Sequence, residues 1–179
     1  MKTRALTLLD LQTYIIDIYQ CYKDNPQIID AQSPYSIATP QQVQELLIPY
    51  IEVNDSMIKG IFDDKEQYLY GIVIFDVMRI TPDGSSCEIH IATAKPIWGK
   101  MLIDTYKQML DELIFDNLYC SIPANCVLAI RVAKAVGFKK TGYIPKAIPY
   151  VNSKNQLKMY DLQIYSLQRK RQLKNAKIS

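Results

Sequence analysis

The stretch Asn125-Cys-Val-Leu-Ala-Ile-Arg-Val-Ala-Lys-Ala-Val-Gly137-Phe138 decides the fold of this chain of 179 residues. Its apolar residues recur at helical spacing from Asn125 to Val136, and a glycine follows where such a helix would end. Gly137 permits the left-handed backbone that caps a helix, and Phe138 behind it can pack its ring into the core as the chain reverses. The pattern therefore predicts a helix that turns back sharply into an extended segment.

Extended segments flank this helix on both sides. Short apolar or alternating runs bounded by turn residues are typical of strands. Consecutive antiparallel strands followed by a strand-helix-strand crossover indicate one α+β domain with a mixed sheet. The predicted strands are Met57 to Phe62, Tyr68 to Met78, Cys87 to Ala92, Leu118 to Ile122, Phe138 to Ile144 and Met159 to Leu167.

Apolar residues at helical spacing predict three further helices. Thr39 before Pro40 places a capping residue ahead of a proline at the first helical position, and Pro49 predicts the end of that helix. The segment between Asn25 and Thr39 reads as a loop. The three helices are predicted over Leu8 to about Asn25, Pro40 to Pro49 and Trp98 to Leu113.

Composition excludes several classes of protein. With 49% hydrophobic and 22% charged residues the chain is globular, and no apolar run reaches the length of a bilayer span. The N-terminus lacks the features of a signal peptide, so we expect a cytoplasmic protein without membrane contact. The four cysteines show no CxxC spacing and the chain has one His, so we expect reduced thiols and no metal.

The positive charge is concentrated at the C-terminus. The segment from Arg169 holds five of the 21 basic residues and no acid, which leaves 16 basic against 18 acidic residues elsewhere. A basic tail suits an acidic partner or a solvated helix end equally well, and an acidic body argues against nucleic acid. We expect one domain over residues 1–167 and a basic tail over 168–179.

The segment from Asn125 to Gly142, with its Gly-Phe pair and the second glycine soon after, resembles the GNAT superfamily of acyl-coenzyme-A N-acyltransferases. The resemblance covers nearly the whole chain and is strongest from Cys87 to Leu167. Within the superfamily, the last part of the chain, from Gly142 to Leu167, is similar to the last hairpin of the RimJ/RimL-like branch and of GNAT-like proteins of bacteriophages. The resemblance implies a mostly antiparallel mixed sheet with helices on both faces. It also implies a splay between the family's fourth and fifth strands, which in this chain are the predicted strands Cys87 to Ala92 and Leu118 to Ile122.

The same resemblance implies an activity: transfer of acetyl from acetyl-CoA to a primary amine. The acceptor would be an amine-bearing small molecule, a protein N-terminus or a lysine. In this family the last hairpin lines one side of the acceptor site, so Tyr160 and Asp161 are acceptor-side candidates, although such a pair at a strand start also serves structure.

The cofactor loop of the family carries Gln or Arg, then Gly, then Gly or Ala at fixed spacing, because backbone N–H groups must approach a pyrophosphate. Here the loop reads Ala94-Lys-Pro-Ile-Trp-Gly99-Lys-Met-Leu, and in either alignment one of the three signature residues remains. The two lysines could offer charge to phosphates or be ordinary surface residues, and Trp98 could equally be a core anchor. The resemblance nominates Ala92, Ala94, Lys95, Trp98, Gly99, Lys100 and Asn125 as cofactor-binding residues.

Acyl transfer also needs a base for the ammonium and an acid for the leaving thiolate. Glu88 and His90 lie two apart on a predicted strand and so share a face, which makes them candidates for the base, or else a solvated or mutually paired couple. The family's acid is commonly a Tyr four residues before the Gly-Phe pair, where this chain has Ala133. Tyr143 or Tyr160 could substitute for it, and nothing in the sequence selects between them; we carry Tyr143 forward as the candidate acid.

Two hypotheses follow from the reduced loop. In the first the chain is an active N-acetyltransferase that binds acetyl-CoA. In the second it is a catalytically inactive GNAT-fold protein, or pseudoenzyme, that serves structure or interaction, for example as a bacteriophage virion component. Fold alone does not decide between them.

Overall fold

A computed structural model of the chain describes residues 1–25, 39–53, 58–81, 84–151 and 157–169. The strands are β1 (Lys2–Ala5), β2 (Ile58–Phe62), β3 (Leu69–Thr81), β4 (Gly84–Thr93), β5 (Asn117–Pro123), β6 (Lys139–Val151) and β7 (Leu157–Gln168). The helices are α1 (Leu8–Thr13), α2 (Ile15–Asp24), α3 (Pro40–Val53), α4 (Lys100–Glu112) and α5 (Val127–Ala135), and a 3-10 turn covers Lys95–Ile97.

The seven strands form one sheet in the order β1-β2-β3-β4-β5-β7-β6. All neighbours run antiparallel except β4 and β5, which run parallel. A parallel neighbour needs a crossover, and α4 supplies it between β4 and β5. The predicted α+β fold with a mixed, mostly antiparallel sheet is confirmed.

Helices cover both faces of the sheet, because side chains alternate sides along each strand. Ile72 and Ile74 of β3 pack in one core cluster with the buried residues of α1, α2 and α3, and we name this the α1–α3 face. Val73 and Phe75 pack in the second cluster with α4 and α5, on what we name the α4–α5 face. The fold therefore has three layers with the sheet in the middle.

The N-terminal region departs from the prediction in two ways. Residues Lys2–Ala5 form an edge strand against β2, which four mostly polar residues did not predict. The expected first helix is divided at Tyr14, whose N–H still bonds to the Asp10 carbonyl but whose backbone leaves the helical region. Asp10 also closes a reciprocal cap with Thr7 and accepts two bonds from Arg4, which lowers the pKa of its carboxyl to about 2.

The second predicted helix begins as expected but ends later. Thr39 Oγ1 accepts from Gln42 N at 3.3 Å and Gln42 Oε1 accepts from Thr39 N at 3.1 Å, a capping box before Pro40. The predicted stop at Pro49 is wrong, since α3 continues through this proline to Val53. Burial explains the continuation, because Ile51 extends the stripe begun by the buried Val43 and Leu47.

The other boundaries lie within about three residues of the predictions, except that β6 continues to Val151, well beyond the predicted end at Ile144. Strand β7 ends at Gln168, and Arg169 N donates to Asp116 O at 2.8 Å. The predicted loop between Asn25 and Thr39 and the basic tail from Lys170 onward lie outside the described residues. Among the residues that are described, no helix is long and apolar enough to cross a membrane.

Candidate functional site

The two parallel strands separate partway along their length. Backbone pairing joins Ser86, Cys87 and Glu88 of β4 to residues 117–119 of β5 and stops there, although β4 continues to Thr93 and β5 to Pro123. Residues of both strands beyond this point line a cavity of about 660 Å³, which we name the wedge cavity. The splay predicted between the fourth and fifth strands is therefore present.

Apolar side chains from the α4–α5 face form much of the wall. Leu102 and Met109 of α4, Val132 of α5 and Phe138 line the wedge cavity and belong to the buried core. Tyr106 also lines it, and its hydroxyl is the one buried side-chain polar atom without a hydrogen-bond partner among the described residues. Such a wall suits an extended organic ligand with few charges.

The turn from β4 into α4 is held by the C-terminal end of α2. Asp24 Oδ2 accepts from Lys95 N at 2.9 Å, and Asp24 Oδ1 lies 3.7 Å from Lys95 Nζ. Asn25 Nδ2 donates to Thr93 O at 2.6 Å, and Trp98 Nε1 donates to the same oxygen at 3.2 Å. Side chains from the end of α2 and the turn's own Trp98 therefore fix its path.

Gly99 directs this turn into α4. Its φ of 112° lies where residues with a Cβ are strained, so glycine is required by the backbone rather than by space. Ile103 N donates to Gly99 O at 3.2 Å, the first α-helical bond of α4. The N–H groups of Lys100, Met101 and Leu102 therefore have no acceptor within the helix, and they form a donor set suited to an anionic group.

The turn from β5 into α5 is built differently. Asn125 and Cys126 precede α5, and the N-cap Cys126 makes no side-chain capping bond. The contact between the two side chains is a weak one, Cys126 Sγ to Asn125 Oδ1 at 3.9 Å. Both residues line the wedge cavity together with the first three residues of α5, so a second helix N-terminus borders the site.

The other end of α5 forms the cap that the sequence predicted. Gly137 has a φ of 103°, its N–H donates to Lys134 O at 3.1 Å, and Phe138 N donates to Ala133 O at 3.0 Å. These are the two bonds of a Schellman motif. The Phe138 ring is buried and lines the cavity, so the cap places this ring at the site.

Polar side chains gather on the α1–α3 face where β4 and β5 part. His90 Nε2 lies 2.8 Å from Asp76 Oδ2 of β3. Ser121 Oγ of β5 donates to Glu88 Oε1 at 2.7 Å. Tyr50 of α3 is near, since burial and the charge of Asp76 raise the pKa of its hydroxyl. Glu88, His90 and Ser121 line the cavity, so titratable side chains border it on this face.

The four cysteines are free thiols. Burial raises the pKa of Cys21, Cys87 and Cys120 to about 12 and that of Cys126 to about 11. Protonated thiols are poor nucleophiles at neutral pH, which argues against chemistry through a cysteine of the cavity. Within the described ranges no three His, Cys, Asp or Glu side chains come together as a metal site.

The structure brings together four of the residues that the sequence nominated. Glu88, His90, Trp98 and Asn125 all line the wedge cavity. Their roles stay predictions, because their position alone does not assign chemistry.

The other nominated residues lie outside the lining. Ala92 and Ala94 are buried in the core cluster of the α1–α3 face. Lys95 is paired with Asp24, and Gly99 and Lys100 form the start of α4 beside the cavity. Tyr143 lies on β6 with 63% of its surface exposed, and the Lys140 ammonium stands 5.6 Å from its ring centroid.

Sequence reasoning missed five residues that the fold brings to the site or to its supports. Three of them, Asp24, Asn25 and Asp76, are polar positions on elements remote in sequence from the loop and the base candidates. Ser121 stands in a short apolar strand, and Tyr106 is one of 13 tyrosines. Alternation along β5 was the one available signal, since it places Ser121 on the same face as Tyr119.

No family model and no curated protein matches the chain. Solved structures do resemble it. The structure of yncA from Salmonella typhimurium with its cofactor acetyl-CoA has a TM-score of 0.69 at 14% identity, covering 96% of this chain and 95% of that one. Spermidine N-acetyltransferase from Vibrio cholerae in complex with CoA and spermine gives 0.66 at 19% identity, covering 93% and 94%. Ribosomal-protein-S5-alanine acetyltransferase from Vibrio fischeri gives 0.65 at 16%, covering 93% and 91%.

These similarities extend over almost the full length of the three chains compared with this one. At such low identity they establish the architecture and leave the chemistry to the site. The chain has the fold of the GNAT N-acetyltransferases.

Proposed function

We propose that this protein is an N-acyltransferase that moves an acetyl group from acetyl-CoA to a primary amine. The observation that carries the proposal is the wedge cavity between two parallel strands, bordered by two helix N-termini and by the polar pairs on the α1–α3 face. A cavity of about 660 Å³ lies within the range of small-molecule sites.

The residues present fit acetyl-CoA as a ligand. The N–H groups of Lys100, Met101 and Leu102 at the start of α4 would receive the pyrophosphate, and the exposed side chain of Lys100 would add positive charge. The apolar wall formed by Leu102, Met109 and Val132 would receive the pantetheine arm. Asn125, at the start of the β5 turn, would donate to its amide groups.

The acceptor amine would approach from the α1–α3 face. An amine arrives as an ammonium ion, and Glu88 and His90 are the cavity-lining side chains of β4 on that face that can take its proton. The neighbour whose structure holds spermine and the neighbour that is a ribosomal-protein-alanine acetyltransferase suggest two acceptor types, a polyamine and a protein N-terminus. The second would agree with the RimJ/RimL-like resemblance.

Two sequence observations favour a second candidate function. The loop from Ala94 to Leu102 keeps one of three signature residues, Pro96 offers no N–H, and Ala133 stands where the family has its acid. A GNAT fold that binds a partner without transferring acetyl would need none of these. Under this hypothesis the protein could be a bacteriophage virion component, because the stretch from Gly142 to Leu167 resembles GNAT-like proteins of bacteriophages.

Calorimetric titration with acetyl-CoA and with CoA separates the two functions. Binding of acetyl-CoA at micromolar concentration supports the transferase. The absence of any binding heat at millimolar ligand rejects it. The site is tested by Ala129→Trp, because Ala129 is exposed and lines the cavity in the first turn of α5. Ala135→Trp is the matched control, exposed at the other end of the same helix and outside the lining.

If Ala129→Trp bound acetyl-CoA as tightly as the wild-type protein, acetyl-CoA would bind outside the wedge cavity. The acceptor is then sought by thiol release with spermine and with a peptide that begins with alanine. Thiol release with either one names the acceptor class, and release with neither, despite micromolar binding, favours the second function.

A further inference from the structure

Two carboxylates on the α1–α3 face oppose each other across β3 and β4. Asp76 and Glu88 are register partners, so their side chains project from the same side of the sheet at neighbouring positions. Like charges placed this way repel, and each carboxylate turns to a different neighbour. Asp76 contacts His90, and Glu88 accepts from Ser121. The four side chains thus form two separate pairs.

The Glu88–Ser121 pair stands where the strands separate. Glu88 is the last β4 residue paired with β5, opposite Tyr119, and Ser121 lies two residues farther along β5. Backbone pairing of the two strands ends at Glu88 and Tyr119. Just beyond it, the 2.7 Å bond between Ser121 Oγ and Glu88 Oε1 still joins β5 to β4 through side chains. This bond ties the two strands at the apex of the wedge and occupies a lone pair of the Glu88 carboxylate.

His90 lies two residues farther into the wedge. Its Nε2 is 2.8 Å from Asp76 Oδ2, and since an ionised carboxylate only accepts, Nε2 carries the proton. A neutral imidazole held this way keeps its lone pair on Nδ1. About a fifth of the side chain is exposed (21%), and the residue lines the cavity. Asp76 of β3 pairs with the ring, Glu88 lies two residues earlier on the same face of β4, and Tyr50 of α3 lies near Asp76, whose charge acts on its hydroxyl.

Resting on the function proposed above, we infer that His90 is the base for the acceptor ammonium, that Asp76 is its positioning residue, and that Glu88 with Ser121 holds the wedge apex. His90 Nδ1 takes one proton from the ammonium, which frees the nitrogen lone pair. The new C–N bond forms as the C–S bond of the thioester breaks. The second proton lost by the nitrogen neutralises the departing thiolate, so the sum is one amide, one thiol and one proton on His90.

The first test needs no activity, because His90 is the only histidine of the chain. In ¹⁵N-labelled protein at pH 8 we expect one slowly exchanging downfield ring proton bonded to Nε2. Asp76→Ala should remove this signal, while Ser121→Ala should keep it. Asp76→Asn serves where the alanine variant does not fold, and it should move the signal upfield because the charge is lost. A ring proton on Nδ1, or a signal indifferent to both Asp76 variants, overturns the pairing.

The second test compares steady-state rates with acetyl-CoA and a working amine. We expect His90→Gln to lower kcat by about 100-fold or more with little change in KM for acetyl-CoA, since a general base contributes about 10²–10⁴. Asp76→Ala should lower kcat by about tenfold. Glu88→Gln keeps an oxygen that Ser121 can bond, so its loss should be smaller than that of Asp76→Ala. Asp104→Asn, on the exposed side of α4, is the surface control.

The outcomes separate this inference from the function on which it rests. An active wild-type protein in which Glu88→Gln loses as much as His90→Gln overturns the division of roles and leaves the transferase standing. A wild-type protein that binds acetyl-CoA but turns over no amine overturns both the transferase and the role of His90 as base. In that case the NMR measurement still decides whether Asp76 holds the ring.

Discussion

The turn from β4 into α4 and the turn from β5 into α5 bring two helix N-termini to the same cavity, but they are stabilised in different ways. Asp24, Asn25 and Trp98 hold the first turn through four hydrogen bonds to Thr93 and Lys95, with distances from 2.6 to 3.2 Å. The second turn has one long side-chain contact, between Cys126 and Asn125 at 3.9 Å. The second turn is held mainly through the backbone, where Ala124 N donates to Asp161 O at 2.9 Å and Cys126 N donates to Pro123 O at 2.9 Å. The difference teaches that side chains fix the β4 side of the wedge, whereas backbone bonds hold the β5 side.

The largest expected effect is in thiol labelling, which should separate the cysteines on the β5 side of the cavity from the buried ones. Cys120 and Cys126 line the cavity on the β5 side, whereas Cys21 and Cys87 have no exposed surface. A pKa of about 11 against the ordinary 9.0 leaves Cys126 about 100-fold less thiolate near neutral pH, and labelling should speed up as pH rises toward that value. Iodoacetamide with peptide mass spectrometry should find Cys126 modified first and Cys21 and Cys87 last. Modification of Cys21 or Cys87 ahead of Cys126 would contradict the contrast.

Removal of the Asp24 carboxylate should loosen the first turn. Asp24→Ala leaves Lys95 N without its acceptor, with an expected loss of about 1–3 kcal/mol in the free energy of unfolding. The donors of α4 would then be less well placed, and we expect affinity for acetyl-CoA to fall about tenfold, a cost of about 1.4 kcal/mol. Urea unfolding and calorimetry measure the two effects. Asp104→Ala on the surface of α4 is the control, and an Asp24→Ala protein of wild-type affinity would show that the turn needs no support from α2.

Two glycines allow a matched test of the backbone. Gly99 and Gly137 have φ values of 112° and 103°, and an added Cβ would meet nothing closer than 3.5 Å at either one. Alanine at each should therefore cost about 1–2 kcal/mol of stability through backbone strain alone. Gly99→Ala should also weaken acetyl-CoA binding severalfold, and Gly137→Ala should leave it nearly unchanged. Equal binding losses in the two variants would mean that the α4 donors are not part of the site.

Asn125→Ala should have the smallest effect on stability. Its side-chain contact with Cys126 is weak, so we expect a change below about 0.5 kcal/mol in the free energy of unfolding. Its affinity for acetyl-CoA should nevertheless fall severalfold, because the proposed role of Asn125 is exercised only with ligand bound. Urea unfolding and calorimetry on the same variant check both statements. A large loss of stability would show that the second turn is held as firmly as the first.

The predictions from sequence succeeded where local chemistry sets the structure. The Gly137-Phe138 cap formed as predicted because a left-handed residue after a helix is a local requirement. The helix cap at Thr39 and the alternation that put Glu88 and His90 on one face are equally local. The predicted helix end at Pro49 was wrong. Burial of Ile51, a tertiary effect, outweighed the loss of one backbone hydrogen bond at the proline.

By itself the sequence determined an α+β chain with a capped helix between two late strands, and it placed an acid and a histidine together on one strand. Only the tertiary structure decided which groups these two contact. Asp76 reaches His90 through the register of β3 against β4, and Ser121 reaches Glu88 across a parallel pair that ends at Tyr119. Register and divergence of strands arise from packing between segments distant in the chain, so no local pattern encodes them.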